Sequence, residues 1–77
     1  MLRRGSLRFV VWLNDHPPPH VHVFSADAEA SIALGTRNGY PRLIANQGMT
    51  RGDLGRALRA VLDQRALLLE RWSEIHG

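Results

Sequence analysis

Residues 20–34 read HVHVFSADAEASIAL, and the fold turns on whether this stretch is one element or two. His20, His22 and Phe24 alternate with Val21 and Val23, a period of two that suits a strand with one face on a core. Ala28, Ala30, Ile32 and Leu34 repeat that period as the inward set of a further strand, with Glu29 and Ser31 outward. SADAE, between the two runs, has the small and polar residues of a turn. The stretch therefore predicts two strands joined by a turn, and with them a sheet.

Upstream, Arg8 to Leu13 reads RFVVWL, rich in β-branched and aromatic residues. It is apolar on both faces, Phe9, Val11 and Leu13 on one and Val10 and Trp12 on the other, which suits a central strand. Downstream, GTRNG at 35–39 contains Asn38-Gly39, a strong hairpin signal. A weaker fourth strand is expected over Arg42 to Ala45, after Pro41, which strands tolerate at their start or on an edge.

Thr50 then opens a helix, with Asp53 three residues on in a capping-box-like position that also suits the helix dipole. From Arg51 to about Ile75 there is no proline, so one helix of roughly 37 Å is expected. Leu54, Ala57, Leu58, Val61, Leu62, Leu68, Leu69, Trp72 and Ile75 form its apolar stripe. Arg65 falls inside that stripe and Leu67 on the opposite face. The Arg65 guanidinium must snorkel out, meet a carboxylate or backbone carbonyls, or serve a site.

The expected architecture is α+β: a three- or four-stranded antiparallel sheet with one long C-terminal helix packed on one face, in a single small domain over residues 1–77. One helix covers one sheet face, while the first strand is apolar on both. A homodimer or a small cognate partner protein is the economical cover for the second.

A chain of 77 residues buries only about 60% of the surface its unfolded form exposes, so its core is marginal. With no cysteine it has neither disulfides nor a thiolate zinc site, which fits a reducing compartment. The N-terminal fifteen residues hold only a five-residue apolar run, too short for a signal peptide or a membrane span, and the expected location is cytoplasmic. Ten arginines, no lysine and seven acids give a formal charge of +3 and a pI near 11.1. That balance makes nucleic acid a possible partner, although the charges are scattered and also suit an ordinary solvated surface.

The chemistry-bearing segment is NDHPPPHVHV, residues 14–23, with three of the four histidines. Proline fixes its own φ and extends the residue before it, so His16 to Pro19 should form a stiff connector. His20 and His22, two apart on a strand, share a side with α-carbons roughly 6.6 Å apart. Two imidazoles at that spacing can converge on a divalent metal such as zinc, with His16 and Asp15 as further ligands. They can equally divide general acid and base roles, as a metal-independent ribonuclease would, with His16 in support and Arg65 or Arg42 on phosphate. A turn that merely carries backbone-bonded histidines fits the same residues. No serine or cysteine nucleophile motif and no phosphate-binding glycine loop accompanies the box.

The box DHPPPHVHV, Asp15 to Val23, resembles the Asp-His-x-Pro-Pro-His-x-His-Val signature of a family of small bacterial and phage-borne proteins known as domain of unknown function four-one-six-zero. The strand before the box, the strand pair after it, and LLLERW from Leu67 to Trp72 near the end of the helix are similar to that family too, while Ala60 stands near where its second helix tryptophan would be. The resemblance implies no chemistry. It implies a two-gene, toxin–antitoxin-like setting in which this chain is the toxin-like half, acting through protein–protein interaction. A histidine-centred nuclease or metal-dependent hydrolase, and a nucleic-acid-binding regulator, are the competing expectations.

Overall fold

Tight turns and alternating strands build the sheet. The computed structural model describes residues 2–12, 18–35 and 40–76, and of Leu2–Arg4 the backbone alone. Five strands, β1 (Leu2–Arg4), β2 (Leu7–Val10), β3 (His20–Ser25), β4 (Ala28–Ala33) and β5 (Arg42–Gln47), pair in sequence order as an antiparallel meander. The sheet thus has one strand more than expected. The additional strand is β1, turned back by Gly5-Ser6, with Arg4 opposite Leu7 and Gly5 at a φ of +61° that glycine adopts without strain.

Strand β2 starts one residue earlier than expected and ends at Val10; Leu13 lies outside the described residues. The β3–β4 register pairs His20 with Ala33, His22 with Ser31, Phe24 with Glu29 and Ser25 with Ala28, leaving Ala26 and Asp27 as the turn. Asn38-Gly39 lies outside the described residues, although β4 and β5 do pair antiparallel. Strand β5 is an edge strand with all six residues exposed and a register shift opposite Ser31/Ile32.

The expected single helix is two, α1 (Arg51–Asp63) and α2 (Arg65–His76), parted at Gln64. No proline or glycine stands there. Gln64, at φ −108° and ψ 16°, still donates its N–H to Ala60 O. The next residue is Arg65, whose Nε donates to Leu34 O at 2.7 Å. The break thus coincides with the one stripe position that carries a charge, and α2 brings its guanidinium to a carbonyl at the end of a strand. Of the three ways to place this arginine, backbone-carbonyl bonding is the one observed.

Thr50 caps α1, its Oγ1 accepting from Asp53 N–H at 3.1 Å. The Asp53 carboxylate is itself hydrogen-bonded, with the Thr50 side chain among its partners. It accepts from Ser25 Oγ at 3.1 Å and from Arg56. The Arg56 hydrogen bond is the largest influence holding the Asp53 carboxyl below its ordinary value of 3.8. Asn46 and Met49 exchange two hydrogen bonds across the turn between β5 and α1.

One core lies between the sheet and the helices. It joins Leu7, Phe9, Val11, Val21, Val23, Ala30, Ile32 and Leu34 to Met49, Ala57, Ala60, Val61, Leu68 and Trp72. Leu62, expected in the stripe, is 46% exposed. It sits one position past Val61, rotated about 100° to the rim of the contact. Among the described residues no helix is long and apolar enough to cross a membrane.

Candidate functional site

Directly paired residues share a face of a sheet, so the register maps the face turned away from α1. Val10, His22, Ser31 and Ala45 form one row across the strands, and Arg8, Phe24, Glu29 and Gln47 the next. His20, Ala33 and Arg42 form a third, at the box end. Both described histidines of the box therefore stand on the sheet face opposite Phe9, Val21, Val23 and Ile32.

The two rings lie 5.2 Å apart, centroid to centroid, and edge-on at 70°. His20 Nδ1 is 2.8 Å from Pro18 O, and His22 Nδ1 is 3.2 Å from Glu29 Oε2. A carbonyl and a carboxylate only accept, so both Nδ1 atoms carry the proton and donate it. A ring that is held through Nδ1 exchanges its second proton at Nε2. Ser31 Oγ approaches the same Nδ1 of His22 at 3.4 Å, farther than Glu29.

Of the expected connector, His16 and Pro17 lie outside the described residues, while the carbonyls of Pro18 and Pro19 both make hydrogen bonds beside His20. Pro19 O accepts from Leu34 N–H at 3.0 Å, and Leu34 O accepts from Arg65. Arg65, Leu34 and Pro19 thus clamp the residues just before His20 to the end of β4. Nη2 of Arg65 is buried without a hydrogen-bond partner, so its charge is held inside the fold rather than displayed on the face that carries the pair.

Aromatic contacts surround the two imidazoles. Trp12 lies 6.2 Å from His22 and 6.3 Å from Phe24, and the Arg8 guanidinium sits 5.5 Å over the Phe24 ring. On the other side Trp72 of α2 lies 5.2 Å from His20 and stacks on His76 at 3.8 Å. Next to His20, Pro18, Pro19, Ala33, Gly35, Tyr40 and Arg42 line a cleft of about 250 Å³.

Of the residues singled out from sequence, the structure brings His20 and His22 together and sets Arg65 behind them. Asp15 and His16 lie outside the described residues. Among the described residues no three histidine, cysteine or acidic side chains gather as a metal site would require. Sequence reasoning missed Glu29, which it read only as an outward strand residue. The signal was present, because a two-residue turn at Ala26-Asp27 puts Glu29 opposite Phe24 and so diagonal to His22. It also missed Trp72 as a site neighbour, reading it as core alone.

A family model described as Domain of unknown function (DUF4160) matches residues 6–73. Comparison with curated proteins and with solved structures returned no match.

Proposed function

The chain belongs to the family described as Domain of unknown function (DUF4160), a description without chemistry, and from its own residues we propose that it is a histidine-centred nuclease in which His22 and His20 act as an acid–base pair. One observation carries this reading: both imidazoles are held through Nδ1, one by Glu29 and one by Pro18 O. Each ring is thereby oriented through Nδ1, so that Nε2 is the atom at which it takes or gives a proton.

In the forward step His22 takes the proton of the attacking hydroxyl as the new bond to phosphorus forms. Glu29 keeps the ring oriented and balances the positive charge it gains, as a carboxylate does behind a catalytic histidine. His20, entering the step protonated, gives its Nε2 proton to the departing oxygen as the old phosphorus–oxygen bond breaks. Arg65 is a positioning residue here, acting through Leu34 and Pro19. Each histidine should supply about 10²–10⁴-fold.

The test is cleavage of a fluorogenic single-stranded oligonucleotide that contains both ribo- and deoxyribonucleotide linkages, by wild type and by His20→Ala and His22→Ala proteins shown to be folded. We expect turnover by wild type and a loss of at least 10²-fold in each variant. Turnover that survives in both would overturn the reading.

A second reading rests on a different feature. Strand β5 is an edge whose residues are all exposed, with Leu43 at 39% and Ile44 at 51%, and such edges pair with other chains. A toxin-like role toward a small cognate partner would use it. Sedimentation with and without the neighbouring gene's product, on wild type and Ile44→Asp, tests this; a monomer indifferent to both removes it.

A further inference from the structure

We propose that the cleft beside the proline connector is a nucleotide subsite and that the substrate is single-stranded RNA, an inference resting on the acid–base reading above. The cleft is lined by Pro18, Pro19, Ala33, Gly35, Tyr40 and Arg42. Tyr40 is 78% exposed, an aromatic ring with a face available for stacking, and aromatic rings stack any unpaired base.

Arg42 stands in the same row as His20, with only Ala33 between them. Two strand spacings put their backbones roughly 10 Å apart. The residue between them, Ala33, is small, and both Ala33 and Arg42 line the cleft. A base on Tyr40 and its phosphate on Arg42 would thus lie one nucleotide from the pair, and a duplex, whose bases are already stacked, has none to offer Tyr40.

The sugar follows from the nucleophile. Among the described residues Ser31 brings a hydroxyl to the pair, and it approaches Nδ1 of His22, the atom that donates to Glu29. A hydroxyl at Nδ1 is not placed to give its proton to Nε2, whereas RNA brings a nucleophile of its own. The 2′-hydroxyl loses its proton to His22 Nε2 and forms a bond to phosphorus. The bond to the 5′-oxygen breaks with its electron pair, and that oxygen takes a proton from His20. The products are a 2′,3′-cyclic phosphate and a 5′-hydroxyl, with no oxidant or reductant required.

The experiment measures binding separately from cleavage. Fluorescence anisotropy of a labelled oligouridylate, with the matched deoxy strand and the RNA duplex as competitors, is read on the His22→Ala protein and on that protein carrying Tyr40→Ala, Arg42→Ala or Arg51→Ala. Stacking of one base predicts a loss of about 5- to 100-fold for Tyr40→Ala. Arg42→Ala should flatten the salt slope by about 0.7, one phosphate contact on a single strand. Arg51, exposed on α1, should change little. Kinetically, Tyr40→Ala and Arg42→Ala should raise KM more than they lower kcat.

Equal losses at Arg42 and Arg51, or undiminished binding in Tyr40→Ala, would overturn the subsite. Deoxy strand cleaved as fast as RNA would overturn the substrate assignment. RNA bound through Tyr40 and Arg42 but never cut would sustain the subsite while sinking the nuclease reading.

Discussion

Ala26 is the one described residue other than glycine with a positive φ, +51°, and replacing it with glycine should stabilise the protein. It is the first of two central residues in the turn that fixes the β3–β4 register. An L-residue with a β-carbon in the left-handed region costs roughly 1–2 kcal/mol, and glycine removes that cost. Glycine also widens the unfolded ensemble, which takes back about 0.5–1 kcal/mol. The balance is a gain of about 0.5–1 kcal/mol, which for a domain of this size raises Tm by about 2–8 °C. Thermal unfolding followed by circular dichroism reads it, with urea denaturation as a second measure. The register should be unchanged, so the contact between His22 and Glu29 and any activity should persist. A lowered Tm would refute the reasoning, because it would mean that the alanine β-carbon does more for the folded state than its backbone strain costs.

Other perturbations report on the clamp, the cap and the core. Arg65→Ala removes a charge-assisted bond and strands the carbonyl of fully buried Leu34, so urea denaturation should show a loss of about 2 kcal/mol; an unchanged midpoint would dismiss the clamp. Asp53 has a depressed carboxyl pKa in the folded state, owed first to Arg56. Its contribution is complete above the ordinary value of 3.8 and disappears as pH falls through the lower folded value. Asp53→Asn should therefore reduce the steepness of acid unfolding below about pH 4, measured by urea titrations at stepped pH, and an identical acid limb would contradict the cap's electrostatics. Phe9→Ala, at a side chain with no exposure, should cost about 3–5 kcal/mol, enough to leave much of so small a domain unfolded at 37 °C.

The parts of the fold legible in the sequence were those with a strict period. Val21 and Val23 against His20 and His22, and Ala30, Ile32 and Leu34 against Glu29 and Ser31, fell on the faces that their alternation assigned. The helix was legible at its start, where Thr50 caps Asp53 N–H, and not at its middle. Nothing in residues 56–76, which hold no proline and no glycine, announces a break at Gln64. What accompanies it is a tertiary bond between Arg65 and Leu34, residues 31 positions apart. Strand β1 was overlooked because three residues are too few to show a period, although Gly5-Ser6 is a two-residue hairpin signal.

For the candidate site, the box itself marked His20 and His22, and strand geometry alone set them side by side. Their second partners were not marked. Glu29 reaches His22 from the neighbouring strand, and Trp72 reaches His20 from a helix that had first to turn. The first follows from a register that the Ala26-Asp27 turn encodes, the second from a helix that breaks where no local pattern announces it.

The nuclease reading stands most directly on the pH dependence of kcat/KM for cleavage of single-stranded RNA. Two imidazoles sharing base and acid roles predict a bell-shaped profile, whose two apparent values belong to the pair, and near-complete loss of rate in the His20→Ala/His22→Ala double variant. A profile with a single limb or none, or a double variant that keeps the wild-type rate, would contradict it.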